Sequence, residues 1–399
     1  MKELYEYVRE KENQLKEVSE IRVNNKYKAN VSAYRSNADV DYSRVLYSSA
    51  FRRLQGKMQL FIPKSDAFYR NRLTHSNEVA QIAKTISKKL KLSDILTVQT
   101  CSLAHDIGNP PFGHAGEKVL SKCSKIPYEG NAQTFRILRY IEERHYDFNG
   151  LNLTIRTMLG IVKYFNSITQ NKKKFLYDND YDIVKEWFEI YKINHKTIDC
   201  EIMDISDEIA YAVHDLEDGL KLKYFTIDEL LYEFSISPEY KDATEYFNSI
   251  VISAKEFAEK AEMYKTSEEY SMLFRKELTS KLVNCLIEDI GLDSNGVIGY
   301  QKLKKLSHGL KKLTFEAIKR QPDIVEYEQL GNHILTRLFE LYADEQYNKD
   351  LLLLPANYRS IDNSNAMIID YLGGMTDFFA IQQYEKYFGA LKDKGIYFK

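Results

Sequence analysis

The chain has 399 residues, 44% hydrophobic and 29% charged, with a formal net charge of −2. That length buries a sizeable core without disulfides or a structural metal, and the balanced charge excludes a built-in long-range attraction to nucleic acid or an anionic membrane. Four cysteines without a Cys-x-x-Cys pair speak against a disulfide framework or a cysteine zinc site and for a reducing cytoplasm.

The start, Met-Lys-Glu-Leu-Tyr-Glu-Tyr-Val, carries charges where a secretory signal needs an apolar run. No apolar stretch approaches the roughly 20 residues of a spanning helix, so a soluble, cytoplasmic protein is expected. Seven prolines and abundant Leu, Ile, Lys and Glu favour an all-α fold. Residues 1–20 read as a helix, and 25–40, with Asn25, Asn30, Ser36 and Asn37, as an irregular polar approach. A helix over Asp41–Gln55 follows, ended by Gly56. From His75, the stripe Val79, Ile82, Ala83, Ile86, Leu90 has amphipathic-helix spacing, with His75 one turn before it on the inward face. Ser93 is expected to cap the next helix, whose inward face carries Leu96, Leu103 and Ile107. His105 and Asp106 close that helix, and Gly108 with Pro110-Pro111 forces the chain out of it. A further helix should begin near Gly113, putting His114 and Glu117 at i and i+3 on one face.

Downstream, 131–145 and 153–168 read as helices and 170–183 as a solvated loop or insertion. The stretch Glu201–Leu220 has an apolar stripe (Ile202, Ile205, Ile209, Val213, Leu216, Leu220) and a polar one (Asp207, Tyr211, Asp215, Asp218). A face this acidic meets water or lines a site. Residues 227–320 read as helical with loops near 236–240 and 289–297, and 324–390 as helix broken around Pro355–Asn363.

Adjacent His105 and Asp106 at a helix end can share one divalent cation, with His75 adding a second imidazole and Asp207 a second carboxylate. Two His and two Asp form a mixed nitrogen/oxygen shell suited to manganese, magnesium, iron or nickel. Such a metal polarises a phosphoryl oxygen and positions a nucleophilic hydroxide. His114 and Glu117, one short loop away, suit a general acid/base pair whose carboxylate orients the imidazole. A lone His-Asp dipeptide usually means nothing, and an i, i+3 His/Glu pair is usually a surface pair. The joint, ordered occurrence of all six with the helix breaks is much harder to obtain by chance.

The pattern His…His-Asp…Asp resembles the HD-domain metal-dependent phosphohydrolases. Longer strings resemble the deoxyguanosinetriphosphate triphosphohydrolase (dGTPase) branch: Phe51-Arg-Arg-Leu-Gln-Gly-Lys, Asn71-Arg-Leu-Thr-His-Ser-Asn-Glu-Val-Ala, Leu103-Ala-His-Asp-Ile-Gly-Asn-Pro-Pro-Phe-Gly-His-Ala-Gly-Glu and Glu129-Gly-Asn-Ala-Gln-Thr-Phe-Arg-Ile-Leu. Met203-Asp-Ile-Ser-Asp-Glu-Ile-Ala-Tyr-Ala-Val-His-Asp and Asp370-Tyr-Leu-Gly-Gly-Met-Thr-Asp extend the match. It is dense over 40–220, thin over 221–365 and good again near the C-terminus.

The resemblance implies an HD catalytic core over 41–225, after an N-terminal helix and polar arm (1–40) and before a helical C-terminal region (226–399) that packs on the core and contributes to oligomerisation. It implies His75, His105, Asp106 and Asp207 as metal ligands, for manganese or magnesium foremost, with iron, cobalt or nickel as other occupants. His114 and Glu117 match the family's catalytic pair. Water would attack the α-phosphorus of a deoxynucleoside triphosphate, dGTP foremost, releasing deoxynucleoside and intact triphosphate in control of the dNTP pool. Tyr211 matches a tyrosine beneath the deoxyribose that excludes a 2′-hydroxyl, and Asp215 and Gln55 match contacts to the 3′-hydroxyl. Arg72, Lys163 and Tyr164 match triphosphate contacts. Family analogy also implies a ring-like or stacked homo-oligomer, a hexamer foremost, with an effector dNTP or single-stranded DNA as further partners. The sequence departs from the pattern at Asn109, where many relatives carry a third histidine, and at Glu208, where a second Asp is common. Phe165 and Asn71 depart as well, without removing a metal ligand. The Lys-rich stretch 301–320 reads as an effector or DNA surface or, with greater weight, as a solvated face with Leu303, Leu306, Leu310 and Leu313 inward. Arg337 and Arg359 are candidates to reach the base. Two other functions stand beside this one: an HD nucleotidase or phosphodiesterase on other nucleotides, and a non-catalytic nucleotide sensor.

Overall fold

In the computed structural model of the chain, the described residues are 2–26, 32, 34–59, 70–143, 145–263, 265–359 and 364–391. The expectations at Asn30 and at 360–363 lie outside them. Helix α1 (Lys2–Gln14) precedes α2 (Asn37–Leu46), which Ser36 and Asp39 open with a capping box. The single helix expected over Asp41–Gln55 is broken. Helix α2 stops at Leu46, and the Ser48 hydroxyl accepts from the Phe51 amide to start α3 (Ser49–Arg53), which a 3-10 turn at Leu54–Gly56 ends.

Helix α4 (Arg72–Lys89) starts at a capping box between Asn71 and Thr74 and buries His75, Val79, Ile82, Ala83 and Ile86. Helix α5 (Ile95–Ala104) is capped by Asp94, not by Ser93 as expected. The Asp94 carboxylate accepts from the Thr97 amide at 3.0 Å, whereas the Ser93 hydroxyl is turned away to Glu12. A carboxylate there also complements the positive end of the helix dipole. Helix α6 (Gly113–Ser124) begins where expected. Helix α7 (Gly130–Arg136) runs on into a π-helical turn to Ile141. Helix α8 (Ile155–Gly160) is much shorter than the 153–168 expected, because the Val162 and Lys163 amides fold back onto the Leu159 and Ile161 carbonyls. The 170–183 stretch is a loop only in its first half. Asp178 opens α9 (Asp178–Tyr191), whose first turn is acidic as the dipole favours.

Helix α10 (Ile198–Leu222) is followed by α11 (Ile227–Ile236), α12 (Thr244–Ala258) and α13 (Ser267–Glu288). A small antiparallel hairpin, β1 (Ile290–Leu292) with β2 (Ile298–Tyr300), then pairs Ile290 with Tyr300; β1 falls in the stretch expected to be loop, and β2 just beyond it, where helix was expected. Helices α14 (Lys304–Lys319), α15 (Pro322–Ala343), α16 (Ser364–Gly373) and α17 (Asp377–Phe388) complete the chain. Among the described residues the fold is thus all-α with one minor hairpin. Helices α4, α5 and α10 pack against one another, α8 leans on α5 and α10, and α13 and α14 also pack on α10. Helix α6 packs on α15 and α16. No helix among the described residues is long and apolar enough to cross a membrane.

Candidate active site

The site lies where α4, α5 and α10 meet. Seven of the ten α5 residues are buried, so its C-terminal end emerges inside the protein, and His105 and Asp106 emerge with it. One ligand atom each from His75, His105 and Asp106 falls within 4.8 Å of the others, and all three residues are buried. Asp207 joins them: its Oδ1 lies 3.0 Å from His75 Nε2 and 3.2 Å from His105 Nε2. The four predicted ligands therefore converge.

His105 Nδ1 donates to the Ser102 carbonyl at 2.6 Å, which leaves the Nε2 lone pair directed at the two carboxylates. That Nε2 is buried and has no aligned hydrogen-bond partner, although Asp207 is within ion-pair distance. A buried acceptor nitrogen beside two carboxylates and a second imidazole is a donor set that fits a divalent cation. Burial lowers the pKa of His75 against the pull of Asp207, favouring the neutral form a metal needs. Burial pushes His105 down as well, but Asp106 and Asp207 outweigh it and leave its pKa raised. Burial would also raise both carboxylates. Asp106 is nevertheless held down at about 2 by His105 and Arg72, and Asp207 well below its ordinary value by Lys163 and His105.

Each carboxylate is steered by groups outside the cluster. Arg72 Nη1 donates to Asp106 Oδ2 at 2.8 Å, and Asn109 Nδ2 to Asp106 Oδ1 at 2.6 Å. Asn109 is thus an orienting donor to Asp106, a role its amide fills without titrating. Lys163 Nζ donates to Asp207 Oδ2 at 2.8 Å and pairs with Asp204 at the same distance. Asp204, one turn before Asp207 on α10, was not singled out from the sequence; its i−3 spacing from Asp207 was the available signal.

His114 is exposed, and its Nδ1 lies 2.8 Å from Glu117 Oε2. Glu117 Oε1 accepts from the Gly130 amide at 3.0 Å. A Cβ on Gly130 would stand 3.0 Å from both Asn109 Oδ1 and Glu117 Oε1, a tight approach that would push those two side chains aside by a few tenths of an ångström. Burial raises the Glu117 carboxyl, and the His114 contact more than reverses it. The break between cluster and pair forms as expected: the Ile107 and Asn109 amides turn back onto Ala104 and Asp106, and the two prolines follow.

On α10, the Tyr211 ring lies 4.8 Å from the His75 ring, centroid to centroid, and the Lys311 ammonium stands 5.4 Å over it from α14. Burial raises the pKa of Tyr211 well above the ordinary phenol range. Asp215 is buried one turn further, and burial together with nearby Asp218 raises it well above the usual carboxylate range. Gln55 is exposed on the 3-10 turn that packs on α4. Tyr164 is half-buried, with the Lys174 ammonium 4.7 Å over its ring. Glu208 pairs with His308 of α14 at 3.3 Å. Arg337 pairs with Glu340 and covers the Phe388 ring, and Arg359 donates to the Leu352 and Leu354 carbonyls, so both are engaged locally. On α14, Leu306, Leu310 and Leu313 are buried and Lys304, Lys305, Lys311 and Lys312 exposed, the solvated-face arrangement. Lys311 alone of these was undervalued by that reading.

A helical phosphohydrolase site of the HD type is the class that this fold and this His/His-Asp/Asp convergence define. The HD domain family model matches residues 72–212, and that of the phosphohydrolase-associated domain matches 300–386. Deoxyguanosinetriphosphate triphosphohydrolase-like protein 2 of Vibrio cholerae serotype O1 is 51% identical over 100% of this chain and 99% of its own length. Deoxyguanosinetriphosphate triphosphohydrolase-like proteins of Rickettsia felis and Shewanella oneidensis are each 31% identical over 90% of this chain, covering 94% and 95% of their own lengths. The chain belongs to the dGTPase-like family of HD-domain phosphohydrolases.

Proposed function

We propose that this protein hydrolyses deoxynucleoside triphosphates, dGTP foremost, to deoxynucleoside and inorganic triphosphate. The observation that carries the reading is the convergence of His75, His105, Asp106 and Asp207 with Tyr211 against the His75 ring. These four residues would hold a divalent ion, manganese or magnesium foremost, which would supply Lewis-acid polarisation of a phosphoryl oxygen and a lowered pKa for bound water. Both imidazoles must be neutral to bind it; burial already favours that form for His75, so the proton that loading would release is the one Asp106 and Asp207 favour on His105. Arg72 and Lys163 hold the two ligand carboxylates and present positive charge to the triphosphate. Glu117 accepts the Nδ1 proton of His114, which leaves Nε2 free to exchange a proton with the reacting groups. As the water oxygen bonds to the α-phosphorus, one of its protons passes to His114 Nε2, the bond from phosphorus to the 5′-oxygen breaks, and His114 hands that proton on to the 5′-oxygen. Tyr211 packs beneath the deoxyribose, Asp215 and Gln55 take the 3′-hydroxyl, and Tyr164 lies along the triphosphate.

By family analogy we extend the reading to organisation: a catalytic core over 41–225, and a C-terminal region, 226–399, that joins copies into a cytoplasmic homo-oligomer, a hexamer foremost. The deciding experiment incubates the protein with Mn2+ and each dNTP in turn and separates the products. Deoxyguanosine with intact triphosphate is expected. Monophosphate with pyrophosphate, or no turnover of any dNTP, sinks the reading.

A further inference from the structure

The turn between Asp106 and His114 is held from far outside the HD region. Phe112 sits in the left-handed region at φ 60°, ψ 22°, directly before Gly113 at φ 56°, a conformation that bulky residues rarely adopt and that often marks a functional constraint. Its amide donates to Asp377 Oδ1 at 3.0 Å. The other oxygen of Asp377 accepts from the Met58 amide at 3.0 Å and the Tyr327 hydroxyl at 3.1 Å. Lys57 Nζ donates to the Asn109 carbonyl, and to the Gly373 carbonyl at 2.9 Å. Tyr128 donates to the Gly108 carbonyl at 2.9 Å. Lys57, Asp377 and Tyr327 are 2%, 3% and 1% exposed. Burying a lysine and an aspartate is costly unless each has specific partners, and here four of the five named above are backbone groups, two of them on this one turn.

We propose that Lys57 and Asp377 are positioning residues for the hydrolysis proposed above: through the backbone of Asn109 and Phe112 they fix the reach of His114 from the His75–His105–Asp106 cluster. The inference rests on that reading of His114. The geometry explains why the Gly-Gly-Met-Thr-Asp string, remote in sequence from every site residue, ends on an aspartate. That aspartate spans Met58, before α4, and Phe112, before α6, and so ties the metal-ligand helix to the helix of the acid/base pair.

The test is a double-mutant cycle on the full-length protein with dGTP and saturating Mn2+. Asp377→Asn leaves an acceptor for only one of the two amides. It is expected to lower kcat about 10- to 100-fold with little change in KM, the scale of a small misplacement of a reacting group. Combined with His114→Ala it should be no slower than His114→Ala alone, because the two act through one group. Additive losses, or a loss confined to KM, would overturn the proposal, since a merely structural residue gives either. Tyr327→Phe keeps both backbone bonds and takes the same cycle if Asp377→Asn does not fold; a smaller kcat loss, again absent in the His114→Ala background, is expected. If the wild type hydrolyses no dNTP, the functional reading falls by itself. The positioning is then read by NMR of 13C-labelled histidine, where the His114 ring resonance should move in Asp377→Asn or Tyr327→Phe. An unmoved resonance overturns it.

Discussion

Tyr211 is the side chain that, in the proposed reaction, would join the cluster to the sugar. Its ring lies 4.8 Å from the His75 imidazole of one helix, with the Lys311 ammonium of another 5.4 Å over it, so two other helices touch the side chain. Replacing it with alanine opens that wall. Tyr211→Ala is expected to raise the GTP-to-dGTP ratio of kcat/KM by roughly 10-fold or more; a ratio that stays put would end its role as a sugar gate. A second residue, Glu78, ties the site's flank to pH. Burial raises its carboxyl, but His214 and Arg70 outweigh that and bring its pKa from 4.5 to about 2. A carboxyl depressed in the folded state adds stability that is complete above its unfolded value, near pH 4.5, and disappears as pH falls towards 2. The gap in urea-unfolding free energy between wild type and Glu78→Gln should therefore shrink over that window, and a gap unchanged between pH 6 and pH 3 would contradict it. At this scale the sequence was informative where chemistry repeats in short strings. His75, His105, Asp106, His114 and Glu117 all lie within 43 residues. It was silent on Asn109 as a donor to Asp106 and on Asp204 as a second partner for Lys163, because those roles depend on which face a side chain turns to.

Helices with strong apolar periodicity were legible and their ends were not. The α4 and α10 stripes follow their 3.6-residue spacing, because burial of a continuous face dominates the energetics of a long helix. Ends are decided by single hydrogen bonds, and two neighbouring residues often compete for one. Ser93 and Asp94 both have capping side chains. Glu12, from α1, takes the Ser93 hydroxyl and leaves Asp94 to close α5. Asp94 also meets Arg156 at 3.3 Å. Asp94→Ala should accordingly lower unfolding free energy by about 1 kcal/mol or somewhat more, and Ser93→Ala by clearly less, as chemical denaturation would read. Equal losses would return the cap to Ser93. Since α5 delivers both His105 and Asp106, fraying at its start is remote from the cluster by the full length of a buried helix. The Asp94 change should cost stability ahead of activity.

The whole molecule is built so that residues far apart in the chain complete one site. Asp207 stands 132 positions after His75, and Asp377 265 positions after the Phe112 it holds. The family resemblance already groups Asp207 with His75, but no local pattern announces the hold of Asp377 on the Phe112 amide, which becomes visible only once the helices pack. Such a site brings buried carboxylates together around two imidazoles, with Arg72 and Lys163 as counter-charges, and a divalent cation would relieve the repulsion between Asp106 and Asp207. Binding that occurs only in the folded state must then raise stability, by about 2.7 kcal/mol at a free metal concentration 100 times the Kd, several degrees in Tm for a chain of this size. Mn2+ should raise the wild-type Tm and EDTA reverse it. His105→Ala and Asp207→Ala should lose both the shift and metal-dependent hydrolysis while still unfolding cooperatively. A His105→Ala protein that gains the full wild-type shift from Mn2+ would place the ion elsewhere, and dNTP hydrolysis surviving in it would remove the cluster from the chemistry altogether.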